Sequence, residues 1–381
     1  MEFNPCMKHK VVRGAAREFA EGELGPIAAE IDHQARFPWE AIEKMQALGY
    51  FGLQAPRDMG GAGLDAISYA ITIEEIARVS AGVALCVTVH NSVCLYPLLQ
   101  FGTKEQISRL AGDLITGQRI GAFCLTEANA GSDAGAVETT ASADGDEYVI
   151  NGTKIFVTNG AVCGLAHIFA KTNPADPRSS AVLMVEKERD GFSVGEIEDL
   201  SGMRANPVSS LFFEECRVPA ENMLGKPGHG LKIGLSALDT GRVGIAAQAL
   251  GIAQAALEAS TRYAKERQQF SKPIASFQTI QNYLAEMATQ TSAARLLLYR
   301  ACALKDAGKP FSTEASMAKL YCSAAAREVA NLAVQIHGGY GYSREYEVER
   351  YYRDAKVTEI YEGTSEVQRM VIARGVLSQP S

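Results

Sequence analysis

The alternation of apolar and polar positions along this chain changes period twice. From about residue 8 to 120 apolar residues recur at helical spacing, as Ile67, Ala70, Ile71, Ile73, Ile76 and Ala77 do in ISYAITIEEIARVS. Thr103 with Gln106 reads as a capping box opening TKEQISRLAGDLI, and Gly117 as its stop. From about 121 to 225 short β-rich runs take over, punctuated by Asp144-Gly145 and Asn151-Gly152, with HIFAKTN, SAVLMVEK and SSLFFEECRVP following. Helix-length patterns are absent there, so an antiparallel sheet or small barrel is expected instead of βαβ units. After Pro227 no proline occurs until Pro273, and Ala, Leu and Ile at helical spacing predict one helix of well over twenty residues. Further helices are expected from about Phe277 to Ala307, from about Thr313 to Ile336, and after Gly363. Long helices joined by short connections predict an antiparallel four-helix bundle. The fold class is therefore α+β: a helical domain over 1–120, a middle β domain over 121–225 and a helical bundle over 226–381.

Composition narrows the function. The 381 residues carry 37 Lys and Arg against 44 Asp and Glu, a net charge of −7, with no basic block, so nucleic acid is not an expected partner. Cys6, Cys86, Cys94, Cys124, Cys163, Cys216, Cys302 and Cys322 form no CxxC pair, as free thiols of a reducing cytoplasmic compartment would. The first thirty residues mix Lys8, Lys10, Arg13 and Arg17 with Glu18, Glu21 and Glu23, unlike a signal peptide. The apolar stretch 79–103 has the length of a membrane span. Ser80, Thr88, His90, Asn91, Ser92 and Pro97 interrupt it, so a buried helix is expected and no span.

Several chemistries drop out. Gly228, Gly230 and Gly234 have the wrong spacing for a dinucleotide fingerprint and follow a turn, while GGYGY at 338–342 follows a helix. The six histidines are scattered without a metal-ligand pattern, and no GxSxG elbow exists. One carboxylate stands apart. In EIYEGTSEVQRMVIAR, Glu362 precedes a helix opened by Thr364 and Ser365, with Ser365 and Gln368 spaced as a capping box. Gly363 frees the backbone, so Glu362 can project from a turn. Pressed against an apolar ligand, its carboxyl would rise above about 4.3 and become a better base. The same residue also reads as an acid stabilising a helix N-terminus.

Six stretches in order, FCLTEANAGSDAG (123–135), KIFVTNG (154–160), LDTGRVGIAAQALGIAQAALE (238–258), ERQQFSKPIASFQTIQ (266–281), VQIHGGYGYSREYEVERYYRDAK (334–356) and IYEGTSEVQR (360–369), resemble the flavin-dependent acyl-CoA dehydrogenases over essentially the whole chain. The likeness is greatest to the short-chain, butyryl-CoA group. It implies FAD as cofactor, an acyl-CoA as substrate, an electron-transfer flavoprotein as partner, and a homo-oligomer of the tetrameric type. It implies that Glu362 abstracts the α-proton while the β-hydrogen leaves as hydride. By the same resemblance Phe123, Leu125, Thr126, Gly131 and Ser132 hold the flavin from one loop, and Phe156, Val157 and Thr158 from the strand FVTN. Arg267 matches an arginine on the pyrophosphate, where a planar guanidinium offers parallel donors. Phe270 matches a cofactor-binding position, Gln278, Gln335, Ile336, His337, Gly338 and Gly339 match contacts made to FAD across a subunit interface, and Thr364, Ser365 and Glu366 a helix start suited to phosphate. Asp239, Arg242, Ser132 and Gly363 match substrate positions, although Asp239 and Arg242 also suit a plain intrahelical ion pair.

Departures from the pattern set limits. Gly241 occupies the place where some branched-chain and long-chain relatives carry the base, leaving Glu362 as the candidate. Phe156 stands where many members have Trp. TVHNSVCLYPL offers no Arg for a distal carboxylate, which disfavours glutaryl-CoA. A pocket shaped around His90, Cys94 and Leu95 leaves cyclic, branched or aromatic-acid-derived acyl groups open, and His90 reads either as a pocket residue or as a satisfied core histidine. An acyl-CoA oxidase and a non-catalytic helical binding protein are the remaining alternatives.

Overall fold

The computed structural model describes residues 6–176 and 178–378; the chain ends 1–5 and 379–381, and Pro177 in the PADPR loop, lie outside the described residues. The first block is helical: α1 (Met7–Phe19), α2 (Ala28–His33), α3 (Trp39–Ala47), α4 (Ala66–Val79), α5 (Ala81–Val89), α6 (Tyr96–Phe101) and α7 (Lys104–Thr116). The capping box forms, with Thr103 N donating to Gln106 Oε1 at 2.9 Å and Gln106 N to Thr103 Oγ1 at 3.2 Å. Gly117 ends α7 at φ +76°, where a side chain would be strained. A π-helical stretch, His90–Leu95, joins α5 to α6. The resulting apolar run Ala81–Phe101 is almost wholly buried within the protein, as a core helix is.

The middle block is one sheet: β1 (Ile120–Cys124), β2 (Thr140–Asp144), β3 (Glu147–Val157), β4 (Cys163–Lys171), β5 (Ser180–Glu186), β6 (Phe192–Ile197), β7 (Ser209–Pro219) and β8 (Met223–Leu224). Its order is β6-β7-β3-β2-β4-β5-β8, an open path, with β1 beside β4. Two sequence expectations need correction. The sheet is not purely antiparallel, because β1 runs parallel to β4 and β2 meets β4 at one parallel rung. Asn151-Gly152 is not a turn but a bulge inside β3, opposite β7. Asn151 and Glu215 exchange two hydrogen bonds of 2.8 Å there, and a Cβ on Gly152 would lie 2.5 Å from Thr139 Oγ1. The glycine serves close strand packing, so the pair mimics a hairpin signal without making one.

The third block opens with α8 (Gly230–Glu266, 37 residues), followed by a small hairpin, β9 (Gln268–Gln269) and β10 (Lys272–Pro273). Then come α9 (Gln278–Asp306), α10 (Ser312–His337), α11 (Val348–Val357) and α12 (Ser365–Leu377). Helices α8, α9 and α10 pack on one another, while α11 and α12 lie against α10. α11 was not anticipated, since its buried Val348, Tyr351 and Ala355 form only a narrow stripe in the charged run VERYYRDAKV. α8 also crosses α4 closely: a Cβ on Gly251 would meet Glu74 O at 2.4 Å. The largest apolar core accordingly runs through the first and third blocks together.

Candidate active site

Glu362 occupies a left-handed backbone conformation, φ +53°, followed by Gly363 at φ +90°. Two successive residues of this kind turn the chain sharply between α11 and α12 and aim the carboxyl back at α8. Its resting place is the glycine left in α8. A Cβ on Gly241 would lie 2.5 Å from Glu362 Oε2 and 2.9 Å from Oε1, so any side chain there would displace the carboxyl. The residue as a whole is half-buried, but Oε2 is fully buried with no hydrogen-bond partner among the described residues. Burial pushes the carboxyl up to about 7, against the opposing pull of the Arg242 and Lys319 cations. An acid of that strength changes protonation near neutrality, and its orphaned oxygen is free to accept a proton.

The turn is held from two sides. Lys319 of α10, fully buried, donates from Nζ to Gly363 O at 2.8 Å. Gln368 of α12, also fully buried, donates from Nε2 to Glu362 O at 3.1 Å and to Gly363 O at 2.8 Å. The expected capping box at Ser365 is thus corrected. Thr364 is the cap, accepting from Val367 N at 3.4 Å, and Gln368 reaches the turn carbonyls instead. Neither Lys319 nor the role of Gln368 was found in the sequence; a lone Lys in a helical run carries no local signal that it is buried.

One helical step from Gly241, Arg242 Nη1 donates to Asp239 Oδ1 at 2.6 Å, and Ser312 Oγ donates to the same oxygen at 2.8 Å. The pair is an intrahelical ion pair, as one reading had it. It is also buried, with Arg242 Nε lacking any partner among the described residues, which leaves a donor for a ligand. Deeper along α8, a Cβ on Gly244 would lie 2.0 Å from Thr88 Oγ1 and 2.7 Å from Tyr69 OH. Those two hydroxyls are bonded to each other at 2.6 Å. Gly241 and Gly244 therefore share a face that meets the Glu362 carboxyl and then a closed hydroxyl pair.

The candidate flavin residues form a second surface. The loop after β1 is anchored by Glu127, which accepts from Lys154 Nζ, from Thr139 Oγ1 at 2.6 Å and from the amides of Glu138 and Thr139. Lys154 is wholly buried, and its ammonium holds the Glu127 carboxylate below the ordinary carboxylate range. Ile155 N donates to Thr126 O at 2.9 Å, bringing Thr126 beside the end of β3 that carries Phe156, Val157 and Thr158. Thr126 and Thr158 are half-buried, Gly131 and Ser132 exposed, and Val157 points into the core, so it can offer only backbone. Phe156 is 59% exposed at φ +52°. Asn159, also left-handed and fully buried, bonds Cys86 O and Gly121 O, which fixes Thr158 against α5 and β1. Phe123 packs edge-on against Phe169, 4.7 Å between ring centroids, and a Cβ on Gly234 would lie 2.8 Å from Phe169. Gly234 and Gly241 are seven residues apart on α8, about 10 Å along one face, so the loop surface and the Glu362 carboxyl lie along the same helix flank.

The other candidates lie away from this centre. Arg267 ends α8 with its guanidinium 5.4 Å from the Tyr340 ring centroid. Phe270 is 86% exposed at the tip of the hairpin, and Gln278, Gln335, Gly338 and Gly339 are exposed too. Ile336 and His337 point inward, with His337 stacked on Tyr263 at 4.1 Å, so their side chains are not presented to a ligand. This exposed group is not joined to Glu362 within one chain. Of the two readings of His90 the structure shows the core one: its Nε2 lies 2.9 Å from Leu114 O, and its Nδ1 accepts from Gly121 N at 2.9 Å. Burial lowers it to about 4, and it is a neutral, satisfied core histidine. Cys94 sits beneath Gly121 in the same core, while Thr88, two residues before His90, faces α8 at Gly244.

The chain matches known proteins over nearly its whole length. Residues 7–118, 122–216 and 228–377 match the N-terminal, middle and C-terminal domain models of the acyl-CoA dehydrogenases. The chain is 47% identical over 382 residues to the acryloyl-CoA reductase (NADH) of Anaerotignum propionicum, covering 100% of this chain and 97% of that protein. It matches butyryl-CoA dehydrogenase from Megasphaera elsdenii with a TM-score of 0.97 and 43% identity over 99% of this chain and 100% of that one. A chain from the structure of the electron transferring flavoprotein of Acidaminococcus fermentans matches with a TM-score of 0.98 and 44% identity over 100% of both. On these grounds the chain belongs to the acyl-CoA dehydrogenase family and is an oxidoreductase.

Proposed function

We propose that the protein is an FAD-dependent short-chain acyl-CoA dehydrogenase, forming the 2-enoyl-CoA and passing electrons to an electron-transfer flavoprotein. The observation that carries this reading is Glu362: a carboxylate on a left-handed turn, seated over a glycine, with a buried oxygen that nothing else among the described residues engages. The family is one of flavoproteins, and the donor set suits the cofactor. Thr126, Thr158 and Ser132 offer hydroxyls, and Arg267 has no carboxylate partner among the described residues. Bound FAD would supply the acceptor for the β-hydrogen, which leaves with both electrons of its bond.

The chain itself does the rest. Glu362 takes the α-proton at Oε2, and the C–H electron pair becomes the new carbon–carbon π bond. The Glu362 backbone N–H would donate to the thioester oxygen, stabilising the charge that develops as the proton leaves. Arg242, Asp239, Ser132 and Gly363 would bind the CoA ester, and the Tyr69–Thr88 pair on the same α8 face favours a short acyl group. The exposed group around Phe270, Gln278 and Gly338 would meet the cofactor of a second copy in a homotetramer. We place the domain boundaries at 120/121 and 225/226, and the enzyme in the cytoplasm, where its unpaired cysteines stay reduced.

The reductase relative favours a second reading, in which protonated Glu362 returns its proton to an enoyl-CoA. A group near 7 serves either direction. Anaerobic mixing with a panel of acyl-CoAs tests both: butyryl-CoA is expected to bleach the flavin, and the Glu362→Gln protein to stay yellow. No bleaching by any acyl-CoA, or equal bleaching by the variant, overturns the proposal, while return of the yellow colour when an enoyl-CoA is added to chemically reduced protein, with no bleaching by any saturated acyl-CoA, selects the second reading. Peroxide formation in air would identify an oxidase.

A further inference from the structure

A buried ammonium without a carboxylate within ion-pair distance is costly, and α10 carries one. Lys319 is fully buried, its Nζ donates to the carbonyl of Gly363, and no acidic side chain among the described residues lies within ion-pair distance of it. If Lys319 served packing alone, an apolar residue of the same length would do as well. Its position is particular: the carbonyl it holds belongs to the residue directly after the base, on the strained turn. The charges facing Glu362 are Arg242 on α8 and Lys319 on α10, and the other titratable groups there are the Tyr69 hydroxyl on α4 and Tyr361 beside it, both kept neutral by burial. Around Lys319 they are Glu362, Arg242, Glu359 and Glu366. Arg242 is already neutralised by Asp239 at 2.6 Å, so Lys319 is the cation near Glu362 without a close acidic partner.

We infer that Lys319 is a positioning residue for the reaction: its ammonium fixes the Glu362–Gly363 turn through the Gly363 carbonyl and keeps the Glu362 carboxylate ionised when the site is closed to water. Gln368 shares the mechanical part, since it bonds the same carbonyl and the preceding one but brings no charge. The directions of titration accord with this: burial lowers Lys319 to about 8 while Glu362 pulls it up, and the Lys319 cation pulls Glu362 down from a value that burial has raised. The inference rests on Glu362 being the base.

The separable roles give the experiment. Lys319→Met keeps length and volume, and Gln368 still satisfies the Gly363 carbonyl, so the variant is expected to fold and bind flavin. Its acid limb in the pH profile of kcat/KM should move up by about one to three units, the effect of removing a neighbouring opposite charge. Lys319→Arg should return the limb towards its original place. Gln368→Leu should lower kcat without moving it. Independently of any Lys319 substitution, Glu362→Gln should lower the titration point of Lys319, read by NMR on protein labelled with 13C at lysine Cε, because coupling between two sites is reciprocal. A Lys319→Met enzyme that turns over with its limb unmoved, or a lysine indifferent to Glu362→Gln, overturns the inference. Wild-type protein that bleaches with no acyl-CoA overturns the functional proposal instead, and the lysine titration still reads the coupling.

Discussion

At the scale of the residue, Glu362 sets two opposite pH dependences. As a base it must be ionised, so turnover should fall as pH drops through about 7. For folding the sign reverses. Its titration point is raised in the folded protein, so its contribution is fully present below the unfolded value, declines as pH rises, and is lost above about 7. Glu362→Gln removes that decline. Thermal melts should therefore show the variant gaining on the wild type at pH 8 relative to pH 5, while its turnover falls by about 10²- to 10⁴-fold. A variant that melts in parallel with the wild type at both pH values would contradict the burial argument. Glu127 behaves differently, since its partner Lys154 is wholly buried. Glu127→Gln strands that ammonium and should destabilise the fold by about 3–5 kcal/mol, with earlier flavin loss in gel filtration.

At the scale of the element, α8 works through what it lacks. Its glycines at 234, 241, 244 and 251 admit a ring of β4, the base, two hydroxyls and the backbone of α4. Gly241→Ala puts a methyl 2.5 Å from the Glu362 oxygen. The end of a flexible side chain can give way, so this protein should fold and stay yellow while kcat falls by about a hundredfold, the cost of roughly an ångström of misplacement. Gly251→Ala meets a backbone carbonyl that has nowhere to go, and should instead lower stability by about 1–3 kcal/mol in denaturant titrations. Sequence reading reached much of this element. Unbroken helical spacing between Pro227 and Pro273 marked α8, and Glu362 before Gly363 marked the turn. It misjudged Asn151-Gly152, because hairpin turns and interior bulges draw on the same residue types. It missed α11, where salt bridges of Arg353 to Asp32 and Glu349 stabilise a face that looks solvated in sequence. It missed Lys319 because burial of a cation is decided by neighbours distant along the chain, as the carbonyl of Gly363 is, 44 residues on.

At the scale of the whole molecule, the three blocks visible in sequence are not three independent cores. α4 and α5 of the first block pack on α8 of the third, and the sheet joins them through Asn159 and Phe169. Only the strand and helix periods are written locally; the joining contacts are long-range and leave no pattern in one sequence. In the proposed homotetramer a second copy would cover the large aromatic exposed at the hairpin tip. Phe270→Glu should lower the assembled mass and flavin content together, measured by light scattering and absorbance, with secondary structure unchanged. The left-handed geometry of Glu362 has a last consequence for the protein as a lineage. A non-glycine residue held there costs about 1–3 kcal/mol, and a glycine would relieve it. Chemistry and robustness pull in opposite directions at this one site, so a copy of the gene released from selection for turnover should lose its acid first and emerge as a sturdier, inert protein.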